Sequence, residues 1–492
     1  MTKAIEGLKP QSMWKYFAEM SKIPRCSKNE EKIISWLMKL GQKNGIETKK
    51  DKIGNILMKI PASKGHEDAP TVVIQGHMDM VCEKNNDTKH CFKTDSIELM
   101  RETSEGEEWI TAKGTTLGAD NGIGLAAGLA LLDEDLVHGP IEILATVDEE
   151  TGMTGAFNLE SDFVEGRLML NLDSEEDGAV YVGCAGGAES EFYFDLEKTE
   201  CPSNCKGLDV RVKGLRGGHS GLNVHENRAN ALRILSRLLK KIAKKDFTFH
   251  ISNFNGGTAH NAIPRESVST IAVPSDKLNE VKTMLQDTFD TIKLEYGKRD
   301  VNMALELKET SLPAQVWSRK LSVNLIDLVL TLPTGVLTMS QDLPDLVESS
   351  TTIAIVETSE KDIQITVSSR SSVQPVIKEI QETSEIIGKR CGARVELSEG
   401  YPGWQPDMDS PLLEAVSTVF KEIFNKDPEI KAIHAGLETG VIGEKYPGIK
   451  MISFGPEIHG AHSPDEKVSI KAVEKFWDLL AGTLEYLAKN KI

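Results

Sequence analysis

The sequence has 492 residues, of which 39% are hydrophobic and 27% charged, and its formal net charge at pH 7 is -18. This length exceeds one ordinary core and favours two or three domains in a soluble globular protein. The acidic balance argues against nucleic acid and membranes as partners, because both attract basic surfaces. We expect a cytoplasmic protein for three reasons. The first residues show no signal-peptide pattern, no apolar stretch has the length of a membrane span, and the seven cysteines are scattered.

Strand-like and helix-like segments alternate in the first third of the chain. Short apolar runs at 72–74, 141–147 and 168–172 predict buried strands, and a run of small residues and leucines at 122–132 predicts a tightly packed helix. Such alternation is typical of an α/β domain in which helices flank a mostly parallel sheet.

The pattern changes after residue 186. Amphipathic periodicity predicts helices over 229–242, 278–294 and 376–387, and a period-two alternation at Ile363, Ile365 and Val367 predicts a strand. We expect an inserted α+β domain over 187–399. It contains two tandem helix–strand–strand–helix–strand units, the second beginning near Leu321.

The first domain is expected to resume near residue 400. A helix from Pro411, a strand at 451–453 and a closing helix over 470–487 complete it. The predicted organisation is therefore a discontinuous domain of residues 1–186 and 400–492, with residues 187–399 inserted.

Histidine and acidic residues follow directly on the predicted strands. The three strands lead into His77-Met78-Asp79, Asp148-Glu149-Glu150 and Asp173-Ser174-Glu175. In an open parallel sheet the carboxyl ends of the strands form one ligand-binding rim, so we expect these side chains to converge. Asp120, in the loop before the 122–132 helix, and His462 join them. Taken singly, each motif is more often a turn or a solvated face.

This donor set predicts a metal site. Histidine with several carboxylates suits Zn, Co or Mn, and so many acids would repel one another without cations. Two ions account for the number of ligands if one carboxylate bridges them and each ion takes one histidine and one further carboxylate. Glu149 is then spare beside Glu150, and alternation along a strand would let Glu150 bind metal while Glu149 faces the reacting water.

Eight motifs between residues 76 and 466 resemble the M20 metallopeptidase family, in the same order along the chain. They are Gly76-His77-Met78-Asp79-Met80-Val81, Leu117-Gly118-Ala119-Asp120-Asn121-Gly122-Ile123-Gly124, Asp148-Glu149-Glu150-Thr151-Gly152-Met153, Asn171-Leu172-Asp173-Ser174-Glu175-Glu176, Gly183-Cys184-Ala185-Gly186-Gly187, Arg216-Gly217-Gly218-His219-Ser220-Gly221, His434-Ala435-Gly436-Leu437-Glu438 and His459-Gly460-Ala461-His462-Ser463-Pro464-Asp465-Glu466. The His434–Glu438 motif favours the dipeptidase branch. Met78 is a local departure from the family's pattern and removes no ligand.

The resemblance implies a zinc-peptidase-like catalytic domain with an inserted lid. It implies two divalent metal ions per chain, Zn or otherwise Co or Mn, on the ligands His77, Asp120, Glu150, Asp173 and His462. Asp120 bridges the ions, His77 and Asp173 complete one site, and Glu150 and His462 complete the other. Asp79 orients His77, Glu149 is the general base, and the peptide bond between Asp120 and Asn121 is cis.

Four further residues are expected to act on the substrate. Three follow from the resemblance and the fourth is a candidate. His219 stabilises the oxyanion, Asn261 contacts substrate, and Arg370 binds the substrate carboxylate. Glu438 is a candidate for binding the substrate amine. Without the family, each of the four has a plainer explanation. His219 could be a turn histidine, Asn261 a turn former, Arg370 a solvated strand end and Glu438 a structural acid.

The implied activity is metal-dependent hydrolysis of dipeptides, Xaa-His dipeptides among them, to free amino acids. Short peptides are then the partners, and a homodimer is left open. The insertion has the length of two lid units, so the lid is expected to serve its own chain. One alternative is another M20 amidohydrolase, such as a tripeptidase, deacylase or carboxypeptidase. The other is an inactive metal-binding protein, which the presence of Glu149 disfavours because no metal requires that residue.

Overall fold

A computed structural model describes residues 3–104, 106–245 and 249–492. The chain folds into two compact units. The first comprises Met1–Gly183, Pro406–Ala432 and Leu437–Ile492, and the second comprises Cys184–Gln405 and Ile433–Gly436.

An eight-stranded sheet forms the centre of the first unit. Its strands, in spatial order, are Glu47–Lys50, Ile56–Ile60, Ile141–Thr146, Val72–His77, Leu168–Asn171, Lys450–Ser453, Ala179–Cys184 and Glu429–Ile433. The four strands from Ile141–Thr146 to Lys450–Ser453 in that order are mutually parallel. A four-stranded sheet in the same unit contains Ile458–His459, Lys467–Ser469, Glu107–Ala112 and Leu99–Ser104.

The helices of the first unit include the one predicted from small residues. They are the 3-10 helix Lys3–Ile5 and the α-helices Gln11–Met20, Glu31–Asn44, Ala119–Ala130, Glu149–Gly152, Thr154–Asn158, Pro411–Phe424, Glu438–Lys445 and Ile470–Lys489. Gly128 shows why small residues matter: a Cβ there would lie 3.3 Å from Ile74 and 3.4 Å from Ile143. Glycine therefore lets the helix Ala119–Ala130 approach two central strands closely.

The second unit contains a nine-stranded sheet whose strand pairs are antiparallel. In spatial order the strands are Ala304–Thr310, Cys205–Lys213, Ser267–Pro274, His250–Gly256, Val347–Thr358, Asp362–Ser371, Gly186–Asp195 and Arg394–Leu397, with Gly335–Met339 paired to Val347–Thr358. Two-stranded pairs join Lys198–Glu200 to Gln315–Trp317 and Gly218–His219 to Ala262–Ile263.

Helices of the second unit bury their apolar faces against this sheet. They are the 3-10 helices Val224–Glu226 and Ser275–Lys277 and the α-helices Ala231–Ala243, Leu278–Tyr296, Arg319–Thr331 and Gln374–Arg390. Leu235, Phe254 and Leu325 are among the buried side chains of the shared core. The order helix, two strands, helix, strand occurs from Ala231 to Thr310 and again from Arg319 to Leu397, where Gly335–Met339 is an additional strand.

Two details of the first unit differ from what the sequence indicated. The predicted strand 141–147 ends at Thr146, and Glu149 begins the short helix Glu149–Gly152. The expected alternation of Glu149 and Glu150 along a strand is therefore wrong. Cys26 and Cys82 form a disulfide with Cα atoms 5.7 Å apart, which the scattered cysteines did not indicate.

No helix in the described ranges combines the length and apolarity needed to cross a bilayer.

Candidate metal centre and substrate-binding residues

The carboxyl ends of the parallel strands carry the predicted ligands. His77 is the last residue of the strand Val72–His77, and Asp173 follows the strand Leu168–Asn171 by two residues. Asp120 lies in the first turn of the helix Ala119–Ala130. Because neighbouring parallel strands end at one edge of the sheet, these separate segments of the chain meet there.

One group of donors contains His77, Asp120 and Asp173. His77 Nε2 lies 3.0 Å from Asp120 Oδ1 and 3.3 Å from Asp173 Oδ1. The His77 side chain is 0% exposed and the Asp173 side chain 8% exposed. The potential ligand atoms of the three residues lie within 4.8 Å of one another, which is close enough to hold one metal ion.

A second group contains Asp120, Glu150 and His462. His462 Nε2 lies 3.0 Å from Asp120 Oδ2 and 2.9 Å from Glu150 Oε2. Asp120 thus turns one carboxylate oxygen to each histidine. The structure brings all five sequence-predicted ligands into two groups that share Asp120.

The electrostatics of the two groups are those of a site with an excess of negative charge. Burial raises the pKa of Asp173 and of Glu150, and repulsion from Asp120 raises both further. Hydrogen bonds to Asp120 and Glu150 raise the pKa of His462 to about 11. Glu150 Oε1 is buried and accepts no hydrogen bond from the described residues. Divalent cations would neutralise this charge and occupy the free oxygen, so the residues fit a metal centre.

Asp79 connects one histidine to the segment that contains Glu149 and Glu150. Its Oδ1 faces His77 Nδ1 at 3.3 Å and accepts the backbone N–H of Glu149 at 3.1 Å. Its Oδ2 accepts the hydroxyl of Ser27 at 2.7 Å and the backbone N–H of Glu150 at 3.3 Å. This carboxylate is 0% exposed and holds the imidazole so that Nε2 faces the first donor group.

The Glu149 side chain belongs to neither of these two groups, but with His77 and Glu150 it forms a further possible donor group. One of its oxygens is within 4.8 Å of ligand atoms of His77 and Glu150. Burial raises the pKa of Glu149 well above its usual range, and repulsion from Asp173, Glu438 and Glu150 adds to this, against the opposite effect of His77. A carboxyl with a raised pKa can both take and return a proton near neutral pH.

The loop before Asp120 is fixed by a residue that sequence reasoning left unassigned. The carboxylate of Glu466 accepts backbone N–H groups of Leu117, Gly118, Ala119 and Asp120 at 2.7, 2.9, 2.7 and 3.3 Å. Glu466 closes the same motif that contains His462, so its place in that motif was the available signal. The peptide bond between Asp120 and Asn121 is cis, which confirms the sequence expectation.

His219, Asn261 and Arg370 lie in the second unit, where backbone and side-chain contacts connect them. The backbone N–H of Ser220 donates to the carbonyl of Asn261 at 2.8 Å. Arg370 is 6% exposed and donates from Nε to Ser220 Oγ at 3.3 Å and from Nη1 to the Tyr401 hydroxyl at 2.8 Å. Ser220 therefore links the turn of His219 to Arg370.

The hydrogen bonds of His219 define its tautomer. Nδ1 accepts the backbone N–H groups of Gly221 at 3.2 Å and Leu222 at 3.0 Å, so the ring proton must be on Nε2. Burial lowers the pKa of His219 to about 4, and the positive charge of Arg370 contributes. At neutral pH the ring is uncharged and can still donate one hydrogen bond through Nε2–H.

Glu438 lies in the first unit, at the start of the helix Glu438–Lys445. Its Oε2 accepts hydrogen bonds from Gln75 Nε2 at 2.7 Å and from Thr146 Oγ1 at 2.6 Å. Oε1 is buried and has no hydrogen-bond partner among the described residues. Burial raises the pKa of this carboxyl to about 7.

Histidines and carboxylates arranged in two groups beside a further carboxyl are the donor set of a metal-dependent hydrolase. The chain belongs to peptidase family M20/M25/M40, whose sequence profile matches residues 73–486. This match confirms the resemblance drawn from the eight motifs.

Named relatives are similar along nearly the whole chain. The cytosol non-specific dipeptidase of Escherichia coli strain K12 is 39% identical over 482 residues, which cover 98% of each protein. The crystal structure of aminoacylhistidine dipeptidase from Vibrio alginolyticus is 38% identical, with a TM-score of 0.90 over 98% of both chains. Aminopeptidase PepT from Bacillus cereus shares the fold at 19% identity, with a TM-score of 0.56 over 98% of this chain and 99% of that one. The predicted fold class is thereby confirmed.

Proposed function

We propose that the chain is a metal-dependent dipeptidase that hydrolyses dipeptides, Xaa-His dipeptides among them, to free amino acids. The observation that carries the proposal is the pair of donor groups sharing Asp120, with the carboxyl of Glu149 beside them. The dipeptidase names of two relatives that each match 98% of the chain support the substrate class.

We assign two divalent metal ions to the donor groups, with Zn as the first candidate and Co or Mn as alternatives. His77 and Asp173 would hold one ion, Glu150 and His462 the other, and Asp120 both. When bound, such ions lower the pKa of a water molecule and polarise a carbonyl oxygen.

Glu149 is the proposed proton carrier. It takes a proton from the attacking water, whose oxygen forms a bond to the scissile carbonyl carbon. The carbon–nitrogen bond then breaks, and the proton moves from Glu149 to the leaving amine nitrogen. The raised pKa of Glu149, caused first by burial, suits a group that must hold the proton between these steps.

His219 is the proposed donor to the oxyanion. Since Nδ1 is occupied by two backbone N–H groups, Nε2–H is the only hydrogen that the ring can offer. A neutral donor gains strength as negative charge develops on the substrate oxygen, which favours the transition state over the bound peptide.

Both charged ends of a dipeptide also need partners. We assign the substrate carboxylate to Arg370, whose planar guanidinium suits a carboxylate, with Asn261 as a further substrate contact. The free Oε1 of Glu438 is the proposed acceptor for the substrate amine. A cytoplasmic location is proposed with the activity, although the disulfide between Cys26 and Cys82 is uncommon in that compartment.

A panel of dipeptides, tripeptides and N-acetylated amino acids tests the function. We expect free amino acids from dipeptides, loss of this release with a chelator, and recovery on adding Zn, Co or Mn. Faster hydrolysis of tripeptides or acetylated amino acids would assign the chain to another activity of its family. Metal binding without hydrolysis of any of these compounds would support the inactive metal-binding alternative.

A further inference from the structure

Arg25 is a buried cation that contacts two loops of the candidate metal centre, although it is distant from both in sequence. It is 2% exposed. Its Nη1 donates to the carbonyl oxygens of Met78 at 3.1 Å and Asp79 at 2.7 Å, and its Nη2 donates to the carbonyl oxygen of Gly118 at 2.5 Å. One planar group therefore joins three backbone positions.

The three carbonyl groups flank two proposed metal ligands. Met78 and Asp79 directly follow His77, and Gly118 precedes Asp120 by two residues. His77 Nε2 and Asp120 Oδ1 lie 3.0 Å apart, so a small displacement of either loop would separate two ligands of the same group. The guanidinium holds the loops at fixed spacing because its N–H groups diverge from one rigid plane.

The slot around the guanidinium is formed by glycines. A Cβ at Gly118 or at Gly122 would lie 2.5 Å from Arg25 Nη2. Gly118 also has a φ of 69°, in the left-handed region that favours glycine. These two glycines leave room for the guanidinium beside the start of the helix Ala119–Ala130.

Burial lowers the pKa of Arg25, and attraction by Glu466, Asp79, Asp120 and Glu150 opposes this effect, so the surrounding carboxylates help to hold the cation. A positive charge beside a site for divalent cations disfavours their binding. Within the described residues, Arg25 forms no ion pair with a carboxylate at salt-bridge distance. Its Nη1 and Nη2 donate to backbone carbonyls, and its buried Nε has no hydrogen-bond partner there. Its hydrogen bonds to both loops add a geometric contribution that charge alone would not provide.

We propose that Arg25 is a positioning residue that sets the spacing between the loop of His77 and the loop of Asp120, so that both can bind the same metal ion. The proposal rests on the metal centre proposed above. It adds a determinant in the N-terminal segment, outside the eight motifs.

The test compares Arg25→Lys with Arg167→Lys, a change to an exposed arginine of the same unit that also donates to three backbone carbonyls. Lysine keeps the charge but cannot reach carbonyl groups on both loops from one plane. Arg167 is the control, because its Nη1 donates to the carbonyls of Val164, Glu165 and Gly166 at 3.3, 2.9 and 2.8 Å, outside the donor groups. Metal-free wild type, Arg25→Lys and Arg167→Lys are titrated with Zn and Co by calorimetry, and Tm is measured with and without metal.

We expect Arg25→Lys to bind the weaker of the two ions about 10- to 100-fold less tightly, the range found for groups that orient metal ligands. The rise in Tm on adding metal should shrink, while Arg167→Lys should match wild type in both measurements. Equal loss of Tm with and without metal, at unchanged affinity, would show a merely structural role and overturn the proposal.

Three further outcomes are decisive. If Arg25→Lys does not fold, Arg25→Gln, which keeps a planar N–H donor, replaces it in the titration. Failure of both variants to fold would assign Arg25 to folding and overturn the proposal. If wild type itself binds no metal, the proposed centre fails and this inference falls with it. If wild type and variant bind two ions with equal affinity, the proposed metal centre stands and only the role of Arg25 is overturned.

Discussion

Replacing Asp79 with Asn should weaken metal binding by disturbing the residues around the ligands. Each oxygen of Asp79 faces two donors: Oδ1 faces His77 Nδ1 and the N–H of Glu149, and Oδ2 faces Ser27 and the N–H of Glu150. Whichever way an asparagine amide turns, its NH2 group meets a backbone N–H, that of Glu149 on one side or that of Glu150 on the other. The Ser27 hydroxyl can turn to accept, but a backbone N–H cannot. The variant therefore loses at least one contact and cannot recover it by flipping the amide.

The magnitude follows from these contacts. A hydrogen bond to a charged group contributes about 1.5–3 kcal/mol, so the loss of one such bond should lower the free energy of unfolding by at least about that amount. Loss of the carboxylate that orients His77 should reduce metal affinity about 10- to 100-fold. That reduction corresponds to roughly 1.4–2.7 kcal/mol of binding free energy.

Asp51→Asn is the matched control. Asp51 is 8% exposed, and its Oδ1 accepts the N–H groups of Ile53, Gly54 and Asn55 at 3.0, 2.8 and 2.9 Å. Urea unfolding of the metal-free proteins and calorimetric metal titration should show both variants destabilised and only Asp79→Asn impaired in metal binding. Wild-type metal affinity in Asp79→Asn, or equal loss of affinity in both variants, would refute the reasoning.

Three further predictions concern the second unit. Arg370→Ala should erase most of the roughly ten- to hundred-fold preference in kcat/KM for a dipeptide over its C-terminal amide; an undiminished preference would assign the carboxylate to another residue. Burial holds the pKa of His434 near 3 in the folded chain, against about 6.5 unfolded, so below pH 6.5 the unfolded chain binds a proton that the folded chain lacks. This histidine alone should thus lower the free energy of unfolding by about 2 kcal/mol from pH 7 to pH 5. His434→Gln should remove that part of the difference between the urea midpoints at the two pH values, and an unchanged difference would contradict the assignment. Mixing inactive His219→Ala and Glu149→Gln under subunit exchange should restore no activity if the lid serves its own chain, and recovery would show a site shared between chains.

Much of the fold was predictable because local patterns and global packing agree. Apolar runs identified the central strands, since a parallel sheet covered on both faces buries every side chain of a strand such as Val72–His77. Amphipathic periodicity placed the helix Leu278–Tyr296 within two residues of its observed end. The convergence of His77 and Asp173 followed from the rule that parallel strands end at one edge.

The remaining features depend on contacts between distant segments. Arg25 and Glu466 act on backbone groups, whose positions no residue pattern reveals. Whether Cys26 and Cys82 pair depends on the distance between their Cα atoms in the fold, and their separation of 56 residues carries no information about it. The strand expected at Glu149 ends earlier because Asp148 has a φ of 52°, a left-handed conformation that a strand cannot continue through.

The central claim is that Glu149 moves protons beside two metal ions and binds neither. Glutamine at this position keeps the size of the side chain and removes its basicity, so Glu149→Gln should lower kcat on a dipeptide at least about a hundred-fold. Bound metal, measured on the same samples by elemental analysis, should match wild type, whereas Glu150→Gln should lose metal. Near-normal kcat in Glu149→Gln would contradict the assignment of the base. Loss of metal from that variant would show that Glu149 is a ligand and that the roles of Glu149 and Glu150 are exchanged.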